Sequence, residues 1–340
     1  MGCINLFANN LNLQGSLQAS ESLTLRASEI VQVRDSIETP FLAQAGEDLS
    51  IVGQQSIDIL ALNHPQTPFQ SGGNLSLVSD GVISADAHFS SGGDFTVREQ
   101  SGGSANIFSI DDPIIQANGD ISFAGYSGAS LQVIAGGNIT VDGDITITAV
   151  DPNLDPVDFV LDLQAGVTES ADNVSFPFTT DGNVFSESSS SGGSITVDGD
   201  ISGNASNRLQ VNLDARDEIQ VQSITSNGGD IELNSSTGLI SAANIVSING
   251  VGSGLGGEIS LDAQNGIKVN YLLTAPGGST DVANVTITSQ LGSINVIGLD
   301  ENLFSVTGRN IIIDTPNTLF IEGDLNARSD ISQQAGNIFI

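Results

Sequence analysis

Three pairs of aspartates lie close enough along the chain to work together: Asp142 with Asp144, Asp198 with Asp200, and Asp111 with Asp112. Two carboxylates at a set separation, one kept protonated, are what hydrolysis of a glycosidic bond requires. The first two pairs flank a glycine in the same repeated phrase, Asp-Gly-Asp, between short apolar runs. Repetition points to turn formation rather than to one catalytic centre. Asp111-Asp112 precedes Pro113 and reads equally well as a turn. The Gly-His-Gly and Arg-Ile-Lys segments of pectin-cleaving hydrolases are absent. A lyase would need a basic cluster, and the single lysine, Lys268, stands apart from the scattered arginines.

Metal chemistry has few ligands to work with. Cys3 is the one cysteine, so neither a disulfide framework nor a cysteine-based zinc site is available. His64 sits beside Pro65 in a loop, and His88 sits between Ala87 and Phe89 at a strand edge. Neither has a second ligand at metal spacing. Calcium prefers hard oxygen donors, and the acidic run Asp151-Pro152-Asn153-Leu154-Asp155-Pro156-Val157-Asp158 offers some. It matches neither the EF-hand loop nor the glycine-rich calcium nonapeptide. No catalytic, cofactor-binding or metal residue is therefore assigned, and no cofactor is expected beyond that calcium option. The Gly-Gly phrases lead into strands, not into a helix carrying Lys-Ser/Thr, so they are not phosphate loops. Thr-x-Thr, as in Thr146-x-Thr148, recurs only at Thr286-x-Thr288 and not coil after coil, which is too little for a regular ice-binding face.

The elements that position these residues are announced by one recurring phrase. It runs Gly-Gly, then a short polar residue, then apolar–small polar–apolar. It appears as Gly72-Gly73-Asn74-Leu75-Ser76-Leu77, Gly92-Gly93-Asp94-Phe95-Thr96-Val97 and Gly136-Gly137-Asn138-Ile139-Thr140-Val141. Further copies start at Gly192, Gly228 and Gly256, and looser ones at Gly46, Asn118 and Ala335. A tight turn feeding a short alternating strand, repeated many times, is the mark of a stacked-repeat protein. The markers Leu23, Leu49, Leu75, Phe95, Ile121 and Ile139 follow at intervals of 26, 26, 20, 26 and 18 residues. Later markers such as Ile201, Ile219, Ile231 and Ile259 are less regular.

Period two puts Ile139, Val141, Ile145 and Ile147 on one face and the threonines on the other. Asp-Gly between alternating strands is also a hairpin signal, which would give an antiparallel sandwich or barrel. The coil-length recurrence favours an all-β, right-handed parallel β-helix. Units near twenty residues give roughly fifteen coils and a rod of about 70–80 Å. Asn74, Asn138 and Asn337 recur at like corner positions and are expected to form a ladder that satisfies turn backbone groups. One domain, 1–340, is expected, with a large loop or hairpin excursion over 151–191, where prolines 152, 156 and 177 discourage sheet. A smaller irregular insert runs from His64 to Phe69.

Length alone would suggest about two domains, but repeats need only their neighbours. The formal charge is −32, from 40 acidic residues against 8 basic ones. That argues against nucleic acid and anionic membranes, which bind through Lys and Arg. No apolar run reaches ~18 residues, so no membrane insertion is expected. Both chain ends read as cuts through a longer protein.

The stretches Ser71–Leu77, Asp86–Phe95, Asp112–Phe123, Tyr126–Leu131 and Ala135–Val141 together resemble the passenger region of filamentous-haemagglutinin-like proteins of two-partner secretion, especially the large cyanobacterial ones. The resemblance covers most of the chain and is strongest from about 70 to 200. It implies a right-handed parallel β-helix exported through an outer-membrane partner transporter to the bacterial cell surface, with a role in adhesion or surface structure. The family's secretion domain is not recognisable here, so export belongs to a parent protein. The expectation is a non-catalytic stalk that holds an extracellular glycan or protein ligand and has sticky ends prone to end-to-end self-association. The alternative is a carbohydrate-active β-helix enzyme of lyase or hydrolase type.

Overall fold

The computed structural model describes residues 2–111, 113–150, 159–167, 192–203, 208–247, 256–274, 283–298, 304–327 and 337–340. Among these residues the chain forms 34 strands and no helix. Val, Ile, Leu and Thr fill the strands, and Gly, Asp and Asn fill the corners, as their backbone preferences dictate. Every strand-to-strand ladder is parallel, and the strands stack in three ribbons. The first ribbon begins with Ile4–Ala8 on Leu23–Ala27, the second with Leu11–Leu13 on Ile30–Arg34, and the third with Ser16–Ala19 on Leu42–Ala45. The architecture is a parallel β-helix. The antiparallel alternative fails at its own signal: Ile139–Val141 and Ile145–Ile147, joined by Asp142-Gly143-Asp144, each pair in parallel with strands of neighbouring coils.

One inward column passes through every coil of the first ribbon: Ile4, Leu23, Leu49, Leu75, Phe95, Ile121, Ile139, Ile195, Ile219, Ile240, Ile267, Ile294 and Leu319, each in register with the next. From Leu23 to Ile294 these side chains are buried. Each is worth about 2 kcal/mol when removed from water. The core is one continuous cluster along the axis. Near the amino-terminal end it is aromatic, with Phe41, Phe69 and Phe89 stacked at centroid distances of 5.3 and 5.1 Å. Further on, the column below Phe89 is aliphatic, running Ile115, Val133, Leu163, Leu213, Leu233, Leu261, Ile287 and Ile313.

Two expectations are corrected. Among the described residues the column above has thirteen members, not roughly fifteen, and spans about 60 Å at ~4.8 Å per coil. A coil here takes nearer 26 residues than twenty. The second correction concerns 151–191, which is not a single excursion. Phe159–Ala165 is a strand of the third ribbon, in register with Leu131–Ala135 on one side and Leu209–Ala215 on the other. Its alternation Phe159, Leu161, Leu163, Ala165 places four buried side chains in the core. Residues 151–158 and 168–191 lie outside the described residues.

The later markers also change place. Ile201 belongs to the second ribbon, and Ile231 and Ile259 belong to the third. The same Gly-Gly phrase thus turns the chain into the first ribbon at Gly72 and Gly92 and into the third at Gly228 and Gly256. It specifies a tight turn and nothing about which ribbon follows.

Candidate functional site

The corner aspartates bond from coil to coil. Asp144 Oδ1 accepts the Asp200 backbone N–H at 2.9 Å, so these two residues stand one coil apart in the same corner. The Asp142 N–H donates to the Phe123 carbonyl at 3.2 Å. Asp142, Asp144, Asp198 and Asp200 are all exposed. The Asp111 N–H donates at 3.0 Å to Asp86 Oδ1, while Asp112 lies outside the described residues. Asp86 itself is buried, and its Oδ1 also accepts the Ile110 N–H at 2.8 Å and the Ser109 hydroxyl. Alternation alone would place Asp86 outward, so its burial was not legible in the sequence.

The corner ladder exists, but it mixes Asn with Asp. Asp48 Oδ1 accepts the Asn74 N–H, Asn74 Oδ1 the Asp94 N–H, Asp94 Oδ1 the Asp120 N–H, and Asp120 Oδ1 the Asn138 N–H, all at 2.7–2.9 Å. Asn138 Oδ1 then accepts the N–H groups of Gly193 and Ser194, both at 3.0 Å. Asn337 belongs to a different corner, with its N–H and Nδ2 both donating to Asn310 Oδ1.

Among the described residues, the two carboxylates whose proton affinity is raised are ones that sequence reasoning did not single out. Asp162 and Asp214 lie on the outward face of the third ribbon, on adjoining strands, where Asp162 is in register with Asn212 and Gln164 with Asp214. Strand rise and strand spacing put the two on the order of 8 Å apart. Asp162 accepts from Gln132 Nε2 at 3.0 Å, Gln164 Nε2 at 2.8 Å and Asn212 Nδ2 at 3.0 Å. Loss of solvent raises its carboxyl above the ordinary range despite these three donors. Asp214 is pushed up to about 7, first by burial and then by the charges of Asp162 and Glu232, against one bond from Asn234 Nδ2 at 3.1 Å. The available signal was the shared pattern of Leu161-Asp162-Leu163-Gln164-Ala165 and Val211-Asn212-Leu213-Asp214-Ala215, in which matching apolar positions align the two segments.

The histidines do not meet. His64 lies in a turn, where its Nδ1 accepts the Gln66 N–H at 3.1 Å. His88 is not at a loose strand edge: it is buried in the long strand Val82–Ser91, in register with Ile114. Lys268 is exposed on Gly266–Thr274, and Cys3 is an exposed thiol that donates to Glu21 Oε2 at 3.1 Å. Among the described residues, no group of three or more His, Cys, Asp or Glu is arranged to hold a metal ion. The acidic run 151–158 considered for calcium lies outside them.

One flank of the rod carries a groove of about 720 Å³ along the outward face of the second ribbon. Its wall is the turn from Glu99 to Ser104, bounded by the only antiparallel bridge among the described residues, Arg98 to Ser104. The turn closes through the Glu99 N–H donating to Gly103 O at 2.7 Å, and Gly102 takes a φ of 98° that favours glycine. Gln100 anchors it to the coil below, its N–H on Asp80 Oδ1 at 2.8 Å and its Nε2 on Asp80 Oδ2 at 3.0 Å. The floor includes Val82, 65% exposed, and Phe108, 43% exposed.

No protein family, curated protein or solved structure matches the chain.

Proposed function

We propose that this chain is a non-catalytic passenger segment of a large secreted surface protein, similar to the filamentous-haemagglutinin-like proteins. It is a stiff β-helical stalk that holds adhesive surface away from a bacterial cell. On this reading the parent crosses the outer membrane through a partner transporter and remains at the cell surface. The observation that carries the proposal is the continuous coil-to-coil bonding. Among the described residues the inward column runs through thirteen coils, and the corner carboxylates and amides each give one side-chain oxygen to a backbone N–H group of the next coil. Such a rod transmits length and stiffness without a disulfide.

One observation favours a second reading, a carbohydrate-active enzyme. Asp214, pushed up to about 7 and on the order of 8 Å from Asp162, has the proton affinity and spacing of a general acid beside a second carboxylate. Against it, Asp162 is occupied by three side-chain amides of its own ladder.

Incubation of the protein with neutral and acidic polysaccharides separates the two readings, together with attachment of protein-coated beads to cells. The stalk reading expects attachment and no depolymerisation. Catalytic turnover that disappears in Asp214→Asn would replace it with the enzyme reading.

A further inference from the structure

The outward face of a β-helix is ordinarily a field of small polar side chains. Along the second ribbon, one outward column runs Ser84, Phe108, Ser127, Thr146, each in register with the next. Phe108 is the exception in that column. Val82 is a second exception, with Ser56 as its register partner on the preceding coil. Exposed apolar side chains placed together on an otherwise polar surface mark a contact site when something shapes the space above them. Here the Glu99–Ser104 turn does so, pinned by its own backbone bonds and by the two bonds from Gln100 to Asp80.

The rim decides the charge of the occupant. Asp80, Glu99 and Asp144 line the groove, and no lysine or arginine does. Their carboxylates are held in place: Asp80 by Gln100, Glu99 Oε2 by the Ser101 hydroxyl at 3.0 Å, and Asp144 Oδ1 by the Asp200 N–H. Each carboxylate has capacity for further donors after these bonds. The whole chain, at −32, repels anions and draws cations toward the rod.

We propose that the groove between the Glu99–Ser104 turn and the second ribbon is a docking site for an extended peptide segment of a partner protein that carries apolar and basic side chains. Apolar side chains of the peptide lie over Val82 and Phe108, and ammonium or guanidinium groups meet the carboxylates of the rim. The proposal deepens the adhesive reading above, on which it rests, by naming the chemistry of what is held. Its test reads the groove alone, so failure here leaves the stalk reading to the polysaccharide and bead experiments.

The test titrates the intact chain, at physiological salt, with a fluorescent nonapeptide of alternating leucine and lysine. A leucine–glutamate peptide and cellohexaose serve as the other probes. Val82→Ser/Phe108→Ser is the decisive variant. Serine already stands at Ser56, Ser84 and Ser127 around these positions, so the solenoid tolerates it, and circular dichroism checks this. The leucine–lysine peptide is expected to bind, about 10-fold more weakly to the double variant and about 3-fold more weakly to Glu99→Gln. Phe7→Ser, which removes an exposed phenylalanine elsewhere, should bind as the unmodified protein does. The leucine–glutamate peptide should not bind. Three results would each overturn the proposal. The first is no peptide binding. The second is binding that the double variant leaves unchanged, which would reflect attraction to overall charge alone. The third is Phe108-dependent binding of cellohexaose in place of the peptide, which would make the groove a glycan site.

Discussion

The amino-terminal and carboxy-terminal coils solve the same corner problem with the same phrase in different corners. In the first region, Asp48, Asn74, Asp94, Asp120 and Asn138 form an unbroken ladder where the chain enters the first ribbon. The last step of that ladder is weak, from the Glu218 N–H to Ser194 Oγ at 3.3 Å. In the second region the ladder restarts where the chain enters the third ribbon. Asp230 Oδ1 accepts the Glu258 N–H at 2.7 Å, and Asn284, Asn310 and Asn337 continue by side-chain contact. Behind both corners stand buried hydroxyls that satisfy carbonyls of the turn. Ser91 donates to Gly73 O at 2.9 Å, and Ser247 donates to Gly229 O at 2.8 Å. The difference shows that the turn is a portable module. It requires a close backbone approach, a short acceptor side chain and a buried hydroxyl, and any corner of the coil can supply them.

If the two corners are equivalent, the same lesions should cost the same in both. The largest effect is expected from added bulk where backbones touch. A Cβ on Gly92 would run into the Gly72 carbonyl, and one on Gly257 into that of Gly229. Gly92→Val and Gly257→Val should each lose about 3 kcal/mol in denaturant unfolding, because backbone cannot step aside. Gly103→Ala, in the open Glu99–Ser104 turn, should stay within about 0.5 kcal/mol. A mild Gly257→Val would break the equivalence. Removal of one acceptor comes next. Asp94→Ala and Asp230→Ala should each cost about 1.5 kcal/mol, the low end for one charge-assisted bond because the N–H is exposed. A much larger loss at Asp94, measured the same way, would mean that the longer ladder is cooperative and the two corners are not alike.

The smallest effect concerns a third ladder that neither corner contains, the carboxylate–amide array of Asp162 and Asp214. The folded-state affinity of Asp214 is about 7 against an ordinary 3.8, so the folded protein binds more protons than the unfolded chain between these values. Stability should therefore be fullest below about pH 4 and fall as pH rises through about 7. The full shift corresponds to about 4 kcal/mol. Solvent reaches this part-exposed carboxylate, and screening leaves about 1 kcal/mol. Asp162 acts in the same direction. Melting temperatures measured from pH 4 to 8 should show this slope, and Asp214→Asn should flatten it. An unchanged slope would remove Asp214 from the account.

Strand identity, turn chemistry and the parallel stacking were legible along the chain. Ile139-Thr140-Val141 with Gly136-Gly137-Asn138 states locally which residue points inward, where the backbone turns and which side chain bonds the corner. Coil count and phase were not legible. Whether Ile231 continues Ile219 or opens another ribbon depends on pairing with Val211, not on the residues beside it. Phe159–Ala165 was hidden among prolines and serines for the same reason. Only its neighbours across the ribbon, Leu131–Ala135 and Leu209–Ala215, show that its apolar period belongs to the core. The proton affinities of Asp162 and Asp214 likewise come from groups brought together across coils. Alternation and turn preference act over a few residues, so the sequence alone determined the all-β solenoid and its corner chemistry. Register between strands 18 to 56 residues apart is a property of stacking. The groove, the displaced carboxylates and the ribbon that each turn feeds were therefore decided only in the tertiary structure.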